Sequence, residues 1–354
     1  MLYSYNYPQG HKLEQLNAHL LNFFTNIRNV PANATYIIEN YFSADFVIVL
    51  NRSEELNNKF KAFFDSYKKL QNPQKEAFFQ LVLKSQNIRA FFLDTSLDCS
   101  DIKREPLELI LGDQTLRNLM AHLFKTTLKA FDIDGHYKVI YTAMSHKICP
   151  FCGLETMHQS YREDYDHLAA KRHFPLAAVH PANLAPMCHT CNSKNKGEQD
   201  VLNNANGTRK RMIYPYSEQV NITFDYTGTI IPQTDINNQL GNWVVNILPD
   251  DETTRNWNEI FGIKTRYKDD YLKPSFEEWI DDFIKDCIEQ GKDLTIADTI
   301  STELKSMSDN FKRKWYLHSN IIKGPLFDYL STCNNEIFYN SIKDKFNKIS
   351  IQVA

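Results

Sequence analysis

The chain has 354 residues, is 42% hydrophobic and carries a formal net charge of −3. That length and apolar content support a real core and two or three domains. Abundant Phe and Tyr with few Gly and Pro exclude a disordered chain, and the mild acidity excludes a uniformly basic nucleic-acid binder. No stretch reaches the ~18 apolar residues of a membrane span. The start, MLYSYNYPQGHKLEQ, lacks a basic-then-apolar leader, so the expectation is a cytoplasmic protein with no membrane partner.

Residues 1–140 read as a helical domain, a scaffold or a partner-binding surface. HKLEQLNAHLLNFFTNIRNV places Leu13, Leu16, Leu20, Leu21 and Phe24 on one helical stripe. EELNNKFKAFFDSYKKL, QKEAFFQLVLKSQ and TLRNLMAHLFKTTLKAF repeat that style. ADFVIVL, at 44–50, fits either a buried strand or the core-facing part of a helix. Residues 141–215 change character, with four of the seven cysteines, six of the eleven histidines and few periodic runs. Such a composition suits a module organised by metal ligands instead of apolar core. From 216 to 354, QVNITFDYTGTIIP predicts a short strand pair with a Gly turn. Helices follow at DETTRNWNEIFGI, PSFEEWIDDFIKDCIEQ and DTISTELKSMSDNFKRKWYLHSNII. No glycine loop for cradling phosphates is present, which argues against an intrinsic ATPase.

Two C-x-x-C pairs, Cys149/Cys152 and Cys188/Cys191, lie 35 residues apart. Two residues between thiolates let one tight turn aim both sulfurs at one point, and two such turns complete a tetrahedral shell for structural zinc. With four cysteines the shell is closed and offers no place for substrate. Cys99, Cys287 and Cys333 read as small buried apolar residues. Charge is asymmetric too. Residues 167–212 hold seven Lys or Arg against two acids, a net +5 that leaves −8 on the remainder. This is the pattern of a polyanion-binding patch on an acidic body.

Between and just after the knuckles run Asp166-His167, Phe174-Pro175, Asn183-Leu184 and Cys188-x-x-Cys191-Asn192, followed by Lys194 and Lys196. This ordered set, over about 50 residues, resembles the cysteine-framed form of the HNH (ββα-metal) nuclease family. The resemblance implies an α+β, mostly α-helical fold with a central zinc-clipped ββα-metal module flanked by helical regions. It implies a metal-dependent endonuclease acting on nucleic acid, DNA before RNA, with His167 as general base, Asp166 and Asn192 as oxygen ligands of one Mg²⁺ or Mn²⁺, and Asn183 bracing the loop that carries His167. Asn192 stands where the family often has His.

The chemistry fits these residue types. Phosphodiester hydrolysis needs an activated water and a cation on the phosphate, and an imidazole is largely neutral at cellular pH. Neighbouring strand residues point to opposite faces, so an irregularity is expected at Asp166-His167. Asn192 is expected to open the helix after the second knuckle, with Asn195 one turn further on. Arg172, Lys194 and Lys196, with Arg209, Lys210 and Arg211 of RKRMIYPY, are candidate nucleic-acid contacts. His173, His180 and His189 are weaker candidates. The alternative is a catalytically inert zinc-knuckle module that binds nucleic acid or protein. An unregulated nuclease harms its host, so a controlling partner such as an ATPase, and a role in bacterial anti-phage defence, are further expectations by family analogy.

Overall fold

The structure, a computed structural model, describes residues 2–216, 221–232, 241–317 and 319–353. The protein is mostly helical, with two small two-stranded antiparallel sheets among the described residues. Two compact units divide it. One comprises Tyr3–Lys147 and Met157–Gln219; the other comprises Met1–Leu2, Ile148–Thr156 and Val220–Ala354.

In the first unit the predicted stripes become the helices Leu13–Ile27, Glu54–Tyr67, Asn72–Ser85 and Thr115–Lys125. Their starts follow helix chemistry. Ser53 accepts from the Leu56 amide, and Gln71 forms a capping box with Gln74 beside Pro73. ADFVIVL resolves as a helix, Ala44–Asn51, which buries Phe46 and Leu50. Its β-branched residues lose to tertiary packing: Phe46 meets Phe42 and Phe60 at ring-centroid distances of 5.4 and 5.8 Å. Phe23, Phe24, Phe63 and Phe78 extend this aromatic core.

The same unit holds strand β1, Asp164–His167, paired with β2, Leu184–Met187, in the register Asp164↔Met187 to His167↔Leu184. The helix Thr190–Lys196 follows the second knuckle. The sheet is braced by three tyrosine hydroxyls. Tyr5 donates to Pro186 O (2.7 Å), Tyr214 to Ala182 O (2.9 Å) and Tyr216 to Leu184 O. A two-stranded ribbon this short is marginal in water, and these buried donors hold β2 and the turn before it.

In the second unit, strand β3, Thr223–Asp225, pairs with β4, Asn246–Leu248. This corrects the expected pairing within QVNITFDYTGTIIP. The turn at Gly228 forms with positive φ, but Ile230 bridges to Asn242 and the ladder partner comes from further along the chain. Gln219 and Val220 lie outside the described residues. The stretch expected as one helix from Asp298 is two, Ala297–Arg313 and Asn320–Thr332. They pack closely at Gly324, where a Cβ would lie 2.9 Å from Lys312 Cγ, and Ser308 Oγ donates to Gly324 O at 2.8 Å.

Candidate functional site

The first knuckle is a tight turn. Cys152 N and Gly153 N both donate to Cys149 O, at 3.3 and 2.7 Å. Gly153 has φ +67°, a conformation that favours glycine, and a Cβ there would press on the end of the Leu2 side chain. Trp257 Nε1 and Tyr267 OH donate to the carbonyls of Phe151 and Cys152. In the second knuckle, Asn192 N donates to Cys188 O at 3.0 Å. The thiol sulfurs of Cys149, Cys152, Cys188 and Cys191 are buried and all lie within 4.8 Å of one another. A tetrahedral Zn–S₄ shell has sulfurs about 3.8 Å apart, so this cluster fits zinc.

Strand β1 carries Asp166 and His167, which are 6% and 4% exposed. The expected irregularity is not found. The ladder runs in register through both residues, and Leu168 N continues it by donating to Asn183 O at 2.8 Å. The two side chains accordingly take different partners. His167 Nε2 lies 2.9 Å from Ala178 O. A carbonyl only accepts, so Nε2 carries the proton and Nδ1 is the basic nitrogen. The imidazole packs on the Phe124 ring at 4.0 Å between centroids. Burial holds the His167 pKa well below its ordinary value, helped by the ammoniums of Lys171 and Lys196, so the ring is neutral.

Asp166 meets the helix. Lys196 Nζ lies 2.8 Å from Asp166 Oδ2, and Lys196 is 2% exposed. The approach is off line, so Oδ2 has an ion pair but no aligned hydrogen bond. Burial raises the Asp166 pKa, while Lys196 and the His167 amide pull it down. The ammoniums of Lys171 and Lys196 thus act on both Asp166 and His167.

Asn183 is wholly buried with its amide fully used. Nδ2 donates to Ala169 O and Ala177 O, each at 3.0 Å, and Oδ1 accepts from Ala169 N at 2.7 Å. It staples the loop between the strands next to the carbonyl that orients His167.

The helix does not open at Asn192. It begins at Thr190 and is wound with i→i+5 bonds, Gly197 N donating to Asn192 O at 2.7 Å. At ~4.4 residues per turn, Asn192 and Lys196 share a face. Asn195 is occupied elsewhere, its Nδ2 donating to Thr190 O.

The expected basic contacts divide. Lys194 is exposed, and Arg172 is exposed in an ion pair with Glu198 at 2.7 Å. Lys196 is the buried partner of Asp166 rather than a surface phosphate contact. Arg209 and Arg211 turn to the carbonyls of Phe91 and Phe92, and Lys210 is buried. Tyr214 and Tyr216 brace β2, so RKRMIYPY is internal framework instead of a strand-binding platform. His173 Nε2 meets Glu198 O, His180 Nδ1 accepts from Ala182 N, and His189 Nδ1 meets Asp164.

Sequence reasoning missed the neighbours of His167. Phe124, Lys171 and the Ala178 carbonyl carry no motif signal, though Lys171 was visible as part of the +5 segment.

No family model matches the chain. No solved structure matches it. The chain is 29% identical over 118 residues to Protein ea31 of Escherichia phage lambda. That alignment takes in 32% of this chain and 36% of the phage protein, so the chain spans about a third of that relative. No helix among the described residues is long and apolar enough to cross a membrane.

Proposed function

We propose that the chain is a metal-dependent endonuclease of the HNH (ββα-metal) type, acting on nucleic acid, DNA before RNA. The observation that carries this reading is the pairing of a neutral, tautomerically fixed His167 with the buried carboxylate of Asp166 on one short strand. That strand lies in a strand–strand–helix segment that begins and ends on cysteine pairs.

Ala178 O holds the Nε2 proton, leaving Nδ1 to take a proton from water. Asn183 keeps that carbonyl in place. Asp166 supplies a buried hard oxygen whose Oδ2 lacks an aligned hydrogen bond, and Asn192 lies on the helix face that Lys196 uses to reach it. These residues fit Mg²⁺ or Mn²⁺, with Lys196 giving up or sharing the carboxylate. A divalent ion held there would supply positive charge to the scissile phosphate. Zinc on the four cysteines would fix the two ends of the segment and take no part in the chemistry. A cytoplasmic setting, a controlling partner such as an ATPase and a place in anti-phage defence belong to the same proposal, on family analogy.

The test is cleavage. Supercoiled plasmid and an RNA of similar length are incubated with the purified chain and Mg²⁺ or Mn²⁺, with EDTA as blank. The expected outcome is metal-dependent cutting that leaves 5′-phosphate ends. Salt-sensitive binding with no cutting under either metal would instead favour an inert zinc-knuckle binding module.

A further inference from the structure

A cleft of about 370 Å³ opens in the same compact unit as Asp166 and His167. Arg117, Asn118, Met120 and Ala121, from the helix Thr115–Lys125, form one wall. Arg104 heads the helix Arg104–Leu111 beside it. Lys171 and Arg172, from the loop between β1 and β2, form the other wall with Pro175 and Glu198. Four cations and one carboxylate line the space. Such an excess of one sign in a concave site concentrates counter-ions.

We infer that this cleft is a groove for the phosphodiester backbone of the nucleic acid, and that Arg104 and Arg117 make the N-terminal helices part of the substrate-binding surface. The inference rests on the nuclease reading for its direction, because the groove leads to the reactive residues. Lys171 Nζ stands 5.0 Å over the Phe124 ring, and that ring packs at 4.0 Å on the His167 imidazole. A phosphate held by Lys171 is therefore one aromatic ring away from the base.

The cleft arginines already hold carboxylate partners that a phosphate would replace. Arg172 and Glu198 are both exposed, at 57% and 62% of their side chains. Arg117 Nη1 and Arg104 Nε lie 3.9 Å from the carboxylate of Glu108. Arg104 Nη2 also pairs with Glu105 Oε1 at 2.7 Å, while its buried Nε has no hydrogen-bond partner. The exposed Arg172–Glu198 pair is worth about 0–1 kcal/mol, so a phosphate can replace that carboxylate at little cost.

The test is binding of a fluorescein-labelled 20-bp DNA duplex, and of an RNA strand of the same sequence, to the full chain in EDTA over a range of salt. For each phosphate contact, log K falls with log salt at a slope of about −0.9 on duplex DNA, so a contact is worth roughly eightfold at about 0.1 M salt. Arg117→Gln with Arg172→Gln should weaken duplex binding roughly fiftyfold and flatten the slope by about two units. Glu198→Gln should tighten it severalfold. Lys59→Gln with Lys138→Gln, neither of which lines the cleft, controls for net charge. The groove is overturned if the cleft variants match this control in affinity and slope, or if the wild-type chain binds neither probe. Binding through the cleft without cutting under Mg²⁺ or Mn²⁺ keeps the groove and removes the nuclease. Metal-dependent cutting by a cleft variant with unchanged affinity does the reverse.

Discussion

The imidazole of His167 donates through Nε2 to the carbonyl of Ala178 at 2.9 Å, which decides which of its two nitrogens is basic. Eleven residues separate the pair in sequence, and the loop between them is held by Asn183. Three consequences follow for this loop and its neighbours, and a fourth for the cysteine cluster.

Asn183→Ala leaves Ala169 N and Ala169 O buried without a partner, while Ala177 O keeps only the His180 amide. An unsatisfied buried group costs about 1–3 kcal/mol. The variant should lose roughly 3 kcal/mol or more in urea unfolding, and cleavage should fall with it because Ala178 loses its support. Unchanged stability would remove the bracing role.

Lys196 neutralises a buried carboxylate, so Lys196→Met leaves Asp166 alone in the interior. Breaking a buried pair costs about 3–5 kcal/mol. If a divalent cation takes the same carboxylate, Mn²⁺ should raise the melting temperature of Lys196→Met more than that of the wild type. Equal shifts would place the ion elsewhere.

Stability should fall in mild acid. Burial lowers the pKa of His136 to about 3 and that of His180 to about 4; the His11 charge also lowers that of His136. In the unfolded chain both titrate at ~6.5. Below that value the unfolded state takes up protons that the folded state refuses, so folding weakens as pH drops from ~6.5 towards 4. The slope is about 1.4 kcal/mol per pH unit for the fully buried His136, and less for the partly exposed His180. His180→Asn, which can still accept from Ala182 N, should flatten the profile when unfolding is measured at pH 7, 6 and 5.

Elemental analysis of the purified chain should find one zinc per molecule. Cys191→Ser should lose it and lower the melting temperature, because metal binding is coupled to folding. Full folding and cutting without zinc would contradict a structural role.

The parts of this site that were legible in the sequence are those set by local spacing. The two C-x-x-C turns need only a few neighbouring residues to be recognised, whereas the Asp166-His167 pair and the bracing Asn183 stood out only as members of an ordered set over about 50 residues that resembles a known family. What could not be read is what packing supplies. Lys196 read as a nucleic-acid contact, but the helix lays it on Asp166. Arg209 and Arg211 read as a basic surface, but Phe91 and Phe92, more than a hundred residues away, take their guanidiniums. β3 found its partner beyond Asn242 rather than across the Gly228 turn, since strand pairing answers to contacts distant in sequence. The expected bend at Asp166 was a local inference. The regular ladder serves because a helix and a loop provide separate partners for the two side chains.

The central claim, that His167 Nδ1 takes the proton from the attacking water, is tested most directly by chemical rescue. Plasmid cleavage in Mn²⁺ is compared for the wild type and His167→Ala, with and without added imidazole. Loss of a general base is expected to slow cutting by about 10²–10⁴-fold, with zinc content retained and part of the rate restored by imidazole. Cutting by His167→Ala at the wild-type rate would contradict the assignment.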